Sequence, residues 1–245
     1  MKYDLTQARK CIETLDKRRF DRALLGSGDA FRHIVSLVPL LLHLNHPALP
    51  GYVEDAPAGI ADFILSNYQQ NFLSKEHPEL VEDVQSAVNS DAVFAPILGI
   101  YVMGSFGSIS QTSASDLDIW ICHQDDLSEQ DQQRLAEKTK KITQWASTFH
   151  VEMHFYLMTQ KRFRNERYSD PLTKENSGSA QYMLLLEEFY RSAVRLSGKP
   201  LLWLHLWVED EKQYEAEVAR LVAEGELNPN DWVDFGGLGQ FSASE

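Results

Sequence analysis

The sequence predicts an α+β fold. A small mixed sheet carries an acidic strand, helices flank that sheet, and a helical region precedes it. Three observations point there. Apolar residues recur at helical spacing through the first 90 residues. After Pro96 the period shortens to two in short stretches rich in β-branched and aromatic residues. Helical spacing then returns between and after those stretches.

Residues 4–24 read as an amphipathic helix. Leu5, Ala8, Ile12, Leu15, Arg19 and Ala23 keep its spacing, and Gly26 can end it. A second helix is expected from Asp29 to Leu44. It stops before His46-Pro47, because proline restricts the residue ahead of it. Pro47 to Tyr52 reads as a turn-rich connection, and residues 58–90 as helical again, broken near His77-Pro78.

Ile97–Met103 is short, apolar and β-branched, and reads as a strand running into Gly104-Ser105. Asp116–Cys122 alternates. Asp116, Asp118, Trp120 and Cys122 share one face, and Leu117, Ile119 and Ile121 the other. Ser128 suits the N-cap of a helix ending near Phe149. A third strand is expected at His150–Leu157. Val151, Met153, Phe155 and Leu157 form its apolar face, and His150, Glu152, His154 and Tyr156 its polar one. From Ser179 to Ser197 the pattern is helical, with Gly198 placed as a terminator. A last helix is expected from Glu211 to Ala223, and the Gly/Ser-rich ending reads as a cut within a longer chain. The expected organisation is an N-terminal helical region over 1–90, a core over 91–208 and a C-terminal helical segment over 209–245.

Composition narrows the function. With 43% hydrophobic residues and 11% aromatics among 245, the chain can bury a substantial core. A net charge of −13 argues against a broad footprint on nucleic acid or anionic lipid, but an anionic small substrate stays possible if metal ions supply local positive charge. Cys11 and Cys122 form no metal spacing or disulfide framework, which fits a reducing, cytoplasmic compartment. The greasy run Leu37–Leu44 is too short to span a bilayer.

The chemistry concentrates between Gly104 and Glu152. A Gly-Ser turn after an apolar strand offers backbone N–H groups and a hydroxyl to phosphate oxygens. Asp116 and Asp118 point the same way, with α-carbons roughly 7 Å apart by strand rise. Two divalent ions in a phosphoryl-transfer site sit about 3.5–4 Å apart, so such a carboxylate pair can share them. Glu152 is the natural third acid, the single carboxylate on the polar face of the third strand. Alone, Asp-Leu-Asp also reads as a solvated edge strand. His150, Glu152 and His154 share a strand face and allow a zinc reading, but no fourth ligand is evident, and the histidines read as rim or packing residues. Lys161, Arg162, Arg164 and Arg167 either clamp a triphosphate or form a solvated loop. Arg191, Arg195 and Lys199 recur at spacing four and face either solvent or phosphate. No P-loop, no Gly-x-Gly-x-x-Gly fingerprint and no Gly-x-Ser-x-Gly element is present.

Gly104-Ser105, Asp116-Leu-Asp118 and a later Glu152 resemble the nucleotidyltransferase superfamily typified by DNA polymerase beta. The match is closer to the bacterial class I adenylate cyclases. It runs through Met103-Gly-Ser-Phe-Gly-Ser-Ile-Ser-Gln-Thr-Ser-Ala-Ser-Asp-Leu-Asp-Ile-Trp-Ile-Cys-His-Gln124 and Leu41-Leu-His-Leu-Asn-His-Pro47. It continues in Arg162-Phe-Arg164, in Glu188-Phe-Tyr-Arg-Ser-Ala-Val-Arg-Leu-Ser-Gly-Lys199, and in Leu227 through Leu238.

The resemblance implies a nucleotidyltransferase-like sheet and conversion of ATP to 3′,5′-cyclic AMP and pyrophosphate. It implies two Mg²⁺ ions on Asp116, Asp118 and Glu152, with Mn²⁺ able to substitute. Gly104, Ser105, Ser115, Arg164, Arg191 and Lys199 would contact the substrate. It also implies a cytoplasmic enzyme whose regulatory C-terminal region, absent from this chain, is linked to sugar-transport signalling. Transfer of a nucleotide to an external hydroxyl, and a nucleotide-binding regulatory module without catalysis, are the competing readings.

Overall fold

A computed structural model describes residues 4–82, 84, 95–112, 115–167, 186–206, 208 and 213–237, with the side chains of 165–167 left aside. Three helices lead the chain: α1 (Leu5–Leu25), α2 (Asp29–His43) and α3 (Asn67–Glu76). The sheet is built from β1 (Ile97–Met103), β2 (Leu117–His123), β3 (Met153–Met158) and β4 (Val194–Gly198). Helix α4 (Glu129–Ser147) joins β2 to β3, and α5 (Gln160–Arg167) follows β3. Residues 186–192 are helical, and α6 (Tyr214–Ala223) lies near the end. Among the described residues no helix is long and apolar enough to cross a membrane.

Three helix starts have a local cause. Asp4 accepts from the Gln7 N–H, and Ser128 from the Asp131 N–H. Ser66 and Gln69 form a reciprocal capping box. These contacts satisfy N–H groups that a helix cannot satisfy itself.

The sheet order is β3-β2-β1-β4. β1 runs antiparallel to β2 and β4, while β2 and β3 are parallel. Parallel neighbours need a crossover, which α4 provides. The sheet is buried on both faces. Ile100, Val102, Leu117, Ile119, Ile121 and Met153 pack with α2 and α4. Tyr101, Met103, Trp120, Cys122 and Met158 pack with Phe163, Phe189, Tyr190, Trp203 and Phe235. Strand alternation therefore sorts neighbouring residues into two separate cores.

Helix α2 is the central helix of the first core, with Ile34–His43 buried throughout. Its C-terminus is closed from another element. The Lys138 ammonium of α4 donates to the Leu44 carbonyl and to Asn45 Oδ1. Lys138 is only 1% exposed, and burial pulls its pKa down to about 8. Trp232, Val233 and Phe235 belong to the second core. Phe235 stacks on Phe163 at 4.4 Å, and Val233 bridges Leu201.

Three expectations are corrected. Residues 58–65 are not helical; Ile60 forms a bridge with Ile97, and the helix starts only at Asn67. The helix expected to run through Ser197 ends by 192, because Val194–Gly198 pairs with β1 as an edge strand. Gly198 accordingly ends a strand, and an added Cβ there would lie 2.6 Å from Gly99 Cα. β3 starts at Met153, leaving His150 in a turn with φ +58°. The segments expected at 85–90, 179–185 and 211–212 lie outside the described residues.

His43 makes the fold acid-sensitive. Its Nδ1 accepts from the Ile60 N–H at 3.0 Å, and its ring stacks on Phe63 at 3.9 Å. Burial lowers its pKa to about 4. Because the folded-state value lies below the unfolded one, its stabilisation is complete above pH ~6.5 and is lost as pH falls towards 4. The loss amounts to roughly 3 kcal/mol. Asp16, raised by burial to about 6, offsets most of this in the same window, while His205, also lowered by burial to about 4, adds a second loss of the same sign. Urea midpoints should fall between pH 7 and 4.5, and the His43 ring proton should not titrate above pH ~5 by NMR. A His43 titration midpoint near 6.5 would remove this account.

Candidate active site

β1 ends beside the acidic strand, since Met103 pairs with Asp118. The chain then turns at Gly104, where φ is +79°. Phe106 is 3% exposed and lies against Phe20 and Phe31. Gly107 has φ +66°, and a Cβ there would fall 2.2 Å from the Arg19 carbonyl oxygen. The turn is thus pressed directly onto the backbone of α1.

Two side chains lock it. Arg19 donates to the Phe106 carbonyl at 2.9 Å and to the Ser192 carbonyl at 2.8 Å. Gln111 accepts from the Gly107 N–H and donates to Ser27 Oγ and to the Ala23 carbonyl. Burial lowers the Arg19 pKa, and Asp16 counters it. The Gly104 N–H donates to Ser192 Oγ at 2.8 Å. The Ser105 carbonyl accepts from the Ser108 N–H. Ser115 Oγ accepts from the Thr112 N–H at 2.9 Å, closing the approach to β2.

The acids meet through the parallel β2–β3 register, in which Leu117 faces Met153 and Asp118 faces His154. The Leu117 N–H donates to the Glu152 carbonyl, bringing Asp116 and Glu152 alongside. Asp116, Glu152 and His154 each offer a ligand atom within 4.8 Å of the others. His154 Nε2 lies 3.3 Å from Glu152 Oε1 and 3.9 Å from Asp116 Oδ2. These side chains are 48–75% exposed, so an ion can reach them.

Asp118 sits deeper. Its Oδ1 accepts from the Tyr156 hydroxyl at 3.2 Å. Burial lifts its carboxyl above the usual carboxylate range, and Asp116 adds to this. The Tyr156 hydrogen bond and His154 oppose the shift, while Glu188 reinforces it. The Tyr156 hydroxyl is pushed up to about 12, first by burial and then by Asp118, so it remains a donor at neutral pH.

The basic candidates have protein partners of their own. Arg164 forks onto the Asp234 carboxylate and carbonyl, and also reaches Glu215. Arg191 pairs with Glu187 on the exposed side of the 186–192 helix. Arg195 belongs to β4 and reaches Glu13 of α1, so the expected Arg191–Arg195–Lys199 helix face does not form. Lys199 follows β4, with its backbone held by Leu98 and Tyr101.

Sequence reasoning set His154 aside as rim or packing, whereas the parallel register brings it to both carboxylates. It also passed over Tyr156, Glu188 and Arg19. Tyr156 was visible on the polar strand face. Glu188 faces Gly104, with Oε1 3.5 Å from where a Cβ would stand. Arg19 gives no local signal, because it acts on a turn 87 residues away.

A family model described as the adenylate cyclase NT domain matches residues 4–204. The adenylate cyclase of Haemophilus influenzae is 66% identical over 250 residues, covering 100% of this chain and 30% of the relative. That of Pasteurella multocida is 58% identical, covering 100% and 29%. That of Escherichia coli K12 is 40% identical over 235 residues, covering 96% and 27%. The chain therefore spans less than a third of the length of these curated relatives. No solved structure matches it.

Gly107→Ala should destabilise the protein by about 2–5 kcal/mol, combining left-handed strain with the clash against α1. A denaturant midpoint equal to the parent's would show that the turn is not seated this tightly. Arg164→Ala should cost about 1–3 kcal/mol by leaving Asp234 Oδ2 without its donor, while the Tyr214 hydroxyl and the Gly236 N–H still hold Oδ1. Arg191→Ala, removing an exposed pair, should stay within about 0.5 kcal/mol. Equal effects for the two arginines in parallel denaturations would contradict these placements.

Proposed function

The chain belongs to the adenylate cyclase family through its N-terminal domain, and on that premise we propose that it cyclises ATP to 3′,5′-cyclic AMP and pyrophosphate. The observation that carries the reading is the convergence of Asp116, Glu152 and His154, with Asp118 beside them, where β1 delivers the Gly104 turn.

The donor set suits a hard divalent cation, since carboxylate oxygens dominate and a single imidazole joins them. On this reading Asp116, Asp118 and Glu152 hold two Mg²⁺ ions, with Mn²⁺ able to substitute. Bound there, the metals would supply charge neutralisation and a lowered hydroxyl pKa. Gly104, Ser105 and Ser115 would orient the phosphate chain. Ser192 Oγ now accepts from the Gly104 N–H, so a phosphate oxygen would have to share or replace that partner.

The ribose 3′-hydroxyl would attack the α-phosphorus, its bond to the bridging oxygen would break, and pyrophosphate would leave. Positioning and electrostatics supply most of the acceleration in such transfers. Arg164, Arg191 and Lys199 remain the proposed phosphate contacts, and Arg164 would reach a phosphate only by exchanging Asp234 and Glu215 for it.

We further assign 1–90 as the helical region that seats the turn, 91–208 as the catalytic core and 209–245 as its C-terminal extension. The enzyme would act in the cytoplasm, under a regulatory region carried by the longer family members and linked to sugar-transport signalling.

The test is incubation with ATP and Mg²⁺ or Mn²⁺ and no added acceptor. Cyclic AMP should form, and nucleotide transfer to an external hydroxyl should not be the main reaction. Asp116→Asn, Asp118→Asn and Glu152→Gln should each lower turnover by about 10²–10³-fold or more. An Asp116→Asn or Asp118→Asn protein that cyclised ATP at the parent rate would sink the mechanism.

A further inference from the structure

We propose that Tyr156 is a positioning residue for the metal-binding carboxylate of Asp118, holding one of its oxygens so that the other is presented to the ion. This rests on reading the acids as metal ligands. It adds a residue that no motif contains and that touches neither substrate nor metal.

The geometry sets Asp118 apart from the other acids. Asp116 and Glu152 stand with His154 at the exposed mouth. Asp118 is half-buried and lies in the field of Asp116 and of Glu188 from the facing helix, and both disfavour its charge. A carboxylate so placed swings towards water unless a donor fixes it. Tyr156 supplies that donor, with its hydroxyl 3.2 Å from Asp118 Oδ1.

The donor is itself rigid. Tyr156 faces Trp120 in the parallel register and stacks on it, with ring centres 5.2 Å apart and planes at 23°. Trp120 is 1% exposed, stacks on Phe189 at 4.5 Å, and donates through its indole N–H to Met103 Sδ. The phenol ring is therefore mounted on the second core. Its hydroxyl reaches back along the strand face to Asp118, two residues nearer the start of β2 than its partner Trp120. Outer-shell partners of this kind orient carboxylate ligands, and their loss typically costs about 10–100-fold in metal affinity.

Magnesium should feel the loss more than manganese, because Mg²⁺ demands near-ideal octahedral geometry and tolerates a wandering ligand poorly.

The deciding variant is Tyr156→Phe in the full chain, which removes one oxygen and keeps the ring on Trp120. Far-UV circular dichroism should match the parent's and unfolding should stay cooperative. Mn²⁺ binding without nucleotide, followed by electron paramagnetic resonance, should weaken about ten-fold. The Mg²⁺ concentration for half-maximal activity should rise by a similar factor, and by more than that for Mn²⁺.

Asp118→Asn is the comparator. If it loses Mn²⁺ while Tyr156→Phe binds it like the parent, the positioning role is overturned and the reading of the acids stands. If Asp116→Asn and Asp118→Asn also leave Mn²⁺ binding untouched, the reading of the acids fails and the role of Tyr156 falls with it. Loss of the far-UV signal or of cooperative unfolding in Tyr156→Phe would make the hydroxyl a structural group and overturn the proposal.

Discussion

The parallel register of β2 against β3 is the constraint on which the rest of the site depends. It places Asp118 opposite His154 and Trp120 opposite Tyr156, and so sets Asp116 beside Glu152. Side chains alternate with a period of two, so a slip of one residue would move Glu152, His154 and Tyr156 into the first core and bring Met153 and Phe155 out. That core would not accept a carboxylate and an imidazole without partners. The packing of Met153 beneath the sheet and the convergence of the acids above it are two consequences of one register.

The N-terminal helices are part of this arrangement. α1 supplies Arg19, which ties the turn to the end of the 186–192 helix, and its backbone leaves room only for glycine at 107. α2 supplies Phe31 against Phe106, and Ser27 ahead of it holds Gln111. The candidate phosphate turn is therefore fixed from behind by residues far away in sequence. The acids, in contrast, are fixed by their own strands. Such a division leaves the outer surface of the turn to meet a ligand while its inner surface is committed to packing.

Much of both levels was legible because its causes are local. The faces of β2 and β3, the cap at Ser128, and the switch of period after Pro96 follow from backbone geometry within a few residues. The run Val194–Gly198 reads as helical because Ala193 and Leu196 also fit a helix. Pairing along β1 outweighed that period, as tertiary contacts do over weak local preference. Residues 58–65 failed for a related reason, since the bridge of Ile60 to Ile97 holds them extended. Arg164 reads from the sequence as either a phosphate clamp or a solvated residue, and its fork onto Asp234 lies beyond local pattern because the two are 70 residues apart.

Which residues share a strand face, and which types stand ready for phosphate and metal, can be read along the chain without its fold. These are properties of backbone period and side-chain chemistry, and they survive any choice of neighbour. The tertiary structure alone decided which faces meet. It brought His154 to Asp116, gave Asp118 its hydroxyl partner in Tyr156, and enlisted Arg19 behind the turn. Those contacts depend on register and crossing between segments distant in the chain, where burial and hydrogen-bond satisfaction are settled for the whole molecule at once.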